Sequence, residues 1–217
     1  MIASTNQSGT KMVKTVFAWK DACLWVAAGA SAVPVGSLLH ELGHHVFALV
    51  FGFQGATLHY FSATYTMEET ILNFLSQGDR ISVSAIHPLW QIAVNAIAGP
   101  AVGYFLILPV CLLAVKFKAS PFFIALGTIP LIRAIPETLF ALLSPQMLDD
   151  ENTAAFVLGL PPTVFQVAGL LISLAGAVWL ARRIPESRRR PALASMGIGV
   201  IAGLVVYLGF LGPWLLP

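Results

Sequence analysis

The run from Ala22 to Gly52 is apolar or small at nearly every position, yet His40, Glu41, His44 and His45 stand inside it. On an α-helix a spacing of four residues returns to nearly the same face, so the imidazoles of His40 and His44 can reach one metal ion. Glu41 can then serve as general base toward a water activated there. His45 lies about 100° round the helix from His44 and reads as a neighbour, not a ligand. An ionisable group at mid-bilayer costs roughly 2.5–3.5 kcal/mol on insertion scales. Three in one apolar helix therefore need a reason, and a bound metal supplies one.

The surroundings extend the same reading. The 217 residues are 57% hydrophobic and 10% charged, where a soluble domain carries about 25% charged residues. This composition excludes an ordinary soluble enzyme and predicts an all-α polytopic membrane protein. The net charge of +2 gives no reason to expect a nucleic-acid partner. Residues 1–15 read as a polar leader and 16–217 as a single membrane-embedded domain. Spans are expected at about 22–52, 89–115, 121–143, 163–181 and 192–216. As one helix the first would measure about 46 Å against a hydrocarbon core of about 30 Å. Pro34 and Gly36 interrupt it. It forms either one long, kinked, tilted helix carrying the motif or a hairpin turning near residues 30–35, so the count is five or six.

Between the first two spans, residues 56–67 are rich in Thr and Tyr and read as a short extended segment. Residues 68–77 suit a short amphipathic helix with Thr66 as N-cap. His59 and His87 read as surface or interface residues. In the second span Asn95 stands out, because a buried amide needs a partner. It is placed facing the metal site or a substrate. Gly99-Pro100 and Gly103 suit close helix packing and a kink. Arg133 and Glu137, one turn apart, predict an ion pair within the membrane. Pro130 and Pro136 suggest that the same segment is irregular, and 144–162 reads as a polar loop. Cys23 and Cys111, far apart in apolar runs, read as buried packing residues without a disulfide.

Charge orients the chain. The loops at 116–118 and 182–190 hold seven Lys and Arg, whereas those at 53–88 and 144–162 carry net −2 and −3. The positive-inside rule puts the basic loops in the cytoplasm and the acidic ones outside. A catalytic zinc site takes three protein ligands and leaves one position open. For the third ligand the carboxylates of Glu68, Glu69, Glu137, Asp149 and Asp150 compete.

Three stretches carry a resemblance. They are the motif helix ending in Phe51-Gly52, Ala98-Gly-Pro-Ala-Val-Gly103, and the run from Asp150 to Pro161 followed by a span and Arg182-Arg183. Together they resemble the intramembrane zinc metalloproteases of the site-2 protease class, and more closely the small bacterial peptidase M50B-like group. The resemblance covers about residues 22–183. It implies a zinc-dependent endopeptidase with His40, His44 and Asp150 as ligands and Glu41 as base. It also implies a membrane protein or peptide as substrate, the lipid bilayer as surroundings, and the bacterial cytoplasmic (inner) membrane as location. Asp150 is preferred to Asp149 because it stands eleven residues before Pro161, as in that group's pattern. The Leu-Asp-Gly usual around the third ligand is replaced by Leu148-Asp149-Asp150-Glu151. Two alternatives stand beside this one. The first is a membrane zinc protease of the prenyl-protein or heat-shock type, with Glu68 or Glu69 as third ligand. The second is a metal-binding membrane protein without proteolysis, acting as a sensor, chaperone or assembly factor.

Overall fold

A computed structural model describes residues 17–117, 120–143, 149–161 and 163–216. The leader expected at 1–15 lies outside them. The chain opens with helix α1 (Trp19–Val50), followed by a minimal antiparallel hairpin of β1 (Thr57–Leu58) and β2 (Ala63–Thr64). Two short helices, α2 (Glu68–Ser76) and α3 (Arg80–Ile86), lead to the second span. That span comprises α4 (Leu89–Ala101), a π-helical stretch at Val102–Ile107, and α5 (Leu108–Phe117). Then come α6 (Pro121–Leu143), α7 (Asp150–Leu158), α8 (Val164–Arg182) and α9 (Glu186–Val206), the last extended by a second π turn and α10 (Gly212–Leu215). Among the described residues, five helical stretches are long and apolar enough to cross a membrane. They overlap the five expected spans, as an all-α polytopic membrane protein requires, but the last begins at Glu186 rather than 192, so residues 186–190 of the expected basic loop are helical.

The open choice about the first span closes on one helix. α1 continues through residues 30–35 with Pro34 inside it, so there is no hairpin and no sixth span among the described residues. In lipid every backbone group must find a partner inside the protein, and one proline frees far fewer of them than a turn does. The same argument corrects the expectation for Pro130 and Pro136, because α6 remains helical through both. The polar loop at 144–162 is also corrected in part. Asp150–Leu158 is helical, started by Asp149 as N-cap and ended by Gly159 in the left-handed conformation. Thr66 does not cap α2. Its backbone N–H donates to the Gln54 carbonyl, and Met67, at φ 76°, takes the cap position. Cys111 is buried as expected but Cys23 is exposed. Both thiols are free.

Among the described residues three apolar clusters hold the bundle together, one of them Val33, Val200 and Tyr207 between α1 and the last span. Trp25, Ala32, Cys111, Ile124, Leu180 and Met196 join α1 to α5, α6, α8 and α9. Phe53, Ile71, Val83, Ile92, Ala154 and Val157 gather the hairpin region, α2, α3, α4 and α7 beyond the end of α1. The His40–His44 turn of α1 lies between the latter two.

α9 meets α1 through Gly199-Val-Ile-Ala-Gly203, two glycines four apart that let two backbones touch. A Cβ at Gly199 would fall on the Val26 carbonyl, and one at Gly203 on the Ala30 backbone. Main chain cannot rotate away as a side chain can. Gly199→Ala is therefore expected to destabilise the folded chain by about 1–3 kcal/mol, the usual range for overpacking. Gly197→Ala, whose methyl would meet nothing within 4 Å, should be neutral or slightly stabilising. Thermal unfolding of the two variants in one detergent checks the contrast.

Candidate metal centre

Helix geometry delivers the first two groups. His40 and His44 are one turn apart on the inward face of α1, 5% and 8% exposed, and their Nε2 atoms are 3.1 Å apart. The third arrives from α7, where Asp150 begins the first turn. Its Oδ2 lies 3.1 Å from His40 Nε2 and 3.3 Å from His44 Nε2. In a tetrahedral site with bonds of about 2.0–2.1 Å, donor atoms stand about 3.3 Å apart. The triangle matches that edge length, and two imidazoles with a carboxylate suit zinc chemistry. His40, His44 and Asp150 are thus a group that can hold a metal ion.

The ionisation states suit a ligand set. Burial alone would raise the Asp150 carboxyl. The imidazoles of His44 and His40 and the Arg133 guanidinium outweigh it, and hold the carboxyl well below the usual carboxylate range. His44 has its tautomer fixed from behind. Its Nδ1 lies 2.7 Å from the Asn95 carbonyl, which can only accept, so Nδ1 donates there and Nε2 is the atom presented to Asp150 and to a metal. Asn95 closes the pair by donating its Nδ2 to the His44 carbonyl at 2.8 Å. The side-chain amide singled out in the sequence thus ties α4 to the backbone of α1 at His44, while the ring contact is made by the Asn95 main chain.

Glu41 is 8% exposed and its Oε1 lies 4.0 Å from His40 Nε2, beside the triangle rather than within it. The Ala63 N–H of β2 is directed at its carboxylate. The hairpin so placed forms one wall of a cavity of about 570 Å³ over the triangle. Phe61 and Tyr65 line it on that side, and Ile132, Phe140 and Leu204 line it on the α6 and α9 sides. Tyr207 fastens the hairpin by donating its hydroxyl to the Tyr60 carbonyl at 2.8 Å.

The competing carboxylates find other work. Asp149 accepts from the Asn152 backbone N–H at 2.7 Å and from Gln166 Nε2 at 3.0 Å, which keeps it as the helix cap. Glu137 pairs with Arg133, as the spacing predicts. Glu68 lines the cavity, with its carboxyl raised by burial, but it does not join the ligand group, and Glu69 is exposed. His45 is not in the group either. His59 sits among the hairpin hydroxyls of Thr57 and Thr64, and His87 stacks on Phe53 with ring centroids 4.2 Å apart.

One residue of the site escaped the sequence reading in its role. Gly99, taken there as a packing residue, lies directly against the metal-facing atoms. A Cβ on it would overlap the Nε2 atoms of both His44 and His40. The signal available was the Gly-Pro pair one turn beyond Asn95. No protein-family model, curated protein or solved structure matches this chain.

Proposed function

We propose that the chain is a zinc-dependent endopeptidase that hydrolyses a peptide bond within or near the bilayer. The observation that carries this is the triangle of His40, His44 and Asp150 with Glu41 beside it, opening on a cavity of about 570 Å³. A metal used only for binding or structure has no need of a carboxylate next to the site but outside the ligand set. A zinc ion, when bound, would act as a Lewis acid toward the scissile carbonyl and make water more acidic. Glu41 takes the proton of the attacking water and returns it to the leaving nitrogen. The Asn95 carbonyl holds His44 with Nε2 presented to a metal. The apolar wall from α6 and α9 suits a membrane-spanning or membrane-adjacent segment. Such a helix must unwind to present an amide, since its backbone is otherwise bonded internally. The resemblance to the site-2 protease class and the small bacterial M50B-like group supports the same reading, and a bacterial cytoplasmic membrane is the location that resemblance implies.

The test uses full-length protein in liposomes with a set of co-reconstituted single-span peptides, and their products are read by mass spectrometry. Cleavage that disappears with a zinc chelator and returns with zinc is the expected result. Bound zinc without cleavage of any peptide would favour a non-proteolytic metal-binding protein. Metal content decides the third ligand. Asp150→Ala should lose the zinc, while Asp149→Ala and Glu68→Ala keep it. Retention in Asp150→Ala with loss in Glu68→Ala would point instead to a glutamate-ligand protease.

A further inference from the structure

Asp150 is the only member of the ligand group that does not stand on α1. Its distance from the imidazoles therefore depends on what fixes the first turn of α7. The contact made to its own carboxylate comes from α6, where Arg133 Nη2 lies 2.6 Å from Asp150 Oδ2. The Nε edge of the same guanidinium lies 2.5 Å from Glu137 Oε1, one turn further along α6. A guanidinium is planar and its donors form a rigid fork, so a partner on one N–H sets the direction of the others. We propose that Arg133 is the positioning residue for the metal's carboxylate ligand. Held by Glu137, it clamps Asp150 against His40 and His44. This rests on the metal reading of the site and not on the cleavage reaction.

The chemistry allows both duties at one carboxylate. All these contacts fall on Oδ2, whose two lone pairs allow one to take an N–H from Arg133 and the other to face the imidazoles. Ligating carboxylates are commonly hydrogen-bonded from behind, and loss of such a partner typically weakens metal binding by about 10–100-fold. The clamp also accounts for an arginine within a span. A cation there is expensive unless paired, and Arg133 has two carboxylate partners. A rival role predicts the opposite sign. If Arg133 were a cation competing with the metal for Asp150, its removal would tighten metal binding.

The experiment takes the full chain in detergent, stripped of metal, and titrates it with Co2+, whose visible bands report affinity and coordination geometry together. Arg133→Gln is expected to bind Co2+ about 10–100-fold more weakly, and to regain the native spectrum at saturation. Arg133→Lys, which keeps the charge but not the fork, should recover part of the loss. Glu137→Gln should fall between native and Arg133→Gln. Equal unfolding temperatures of the metal-free proteins separate positioning from general damage. Should Arg133→Gln fail to fold, Glu137→Gln carries the test, and unchanged affinity there overturns the clamp. Unchanged or tighter binding in a folded Arg133→Gln overturns it as well. A native chain that binds no Co2+ would sink the metal reading first, an outcome distinct from native binding that Arg133→Gln leaves unaltered.

Discussion

Glu41→Gln is expected to lower peptide cleavage by about 10²–10⁴-fold, the usual worth of a positioned general base, with the metal still bound. The geometry separates the two readouts. Glu41 is outside the ligand triangle, so an amide in its place removes no ligand. Gln has nearly the same shape, and its Oε1 can still face the Ala63 N–H. It cannot accept a proton near neutral pH, and that is the one property the proposed reaction asks of it. The measurement pairs kcat on a cleaved reporter peptide with zinc content of the same preparation. Full activity with zinc retained would place the base elsewhere and overturn the mechanism. Loss of zinc in Glu41→Gln would make Glu41 a structural support of the site, and the case for hydrolysis would lose its main observation.

The positions of His40, Glu41 and His44 were legible because local geometry alone sets them, four residues apart on one helix within one apolar run. The apolar spans were legible for a similar reason, since lipid leaves long apolar helices little alternative, although Pro34 and Gly36 left the first open between one helix and a hairpin. Asp150 was reachable only in part. Its separation from His44 along the chain is large, and nothing in composition says that α7 returns to α1. The helix itself had a signal that polar composition masked, namely Asp149 as cap and Gly159 with Pro161 as stop. The prolines of α6 misled because helix-breaking rules are calibrated in water, where a freed carbonyl and an unwound turn both find solvent. The two ion-pairing partners on α6 were foreseen as a pair, but the third member, Asp150, belongs to tertiary structure. The Arg133 contact that links the pair to the metal site could not be read from spacing.

Gly99→Ala is expected to abolish metal binding in the working range, with a loss of at least about 100-fold in affinity. Ala is the better helix former by about 1 kcal/mol, so propensity alone predicts a stabilised α4. Position decides otherwise. The new methyl carbon would overlap the Nε2 atoms of His44 and His40. His44 cannot swing aside without breaking its hydrogen bond to the Asn95 carbonyl, four residues before Gly99 on the same helix. Either the imidazoles turn away or the helix moves back, and both open the 3.1 Å spacing that fits a metal. Gly103→Ala provides the control within the same span. Its methyl would meet only Pro130, at 3.5 Å, an ordinary contact. Metal titration of the two variants, with unfolding temperature of the metal-free chains alongside, separates site from scaffold. A stable Gly99→Ala chain that binds no metal would place the site where α1 faces α4. Native affinity in Gly99→Ala would mean that the metal sits away from the His40–His44 face that Gly99 covers.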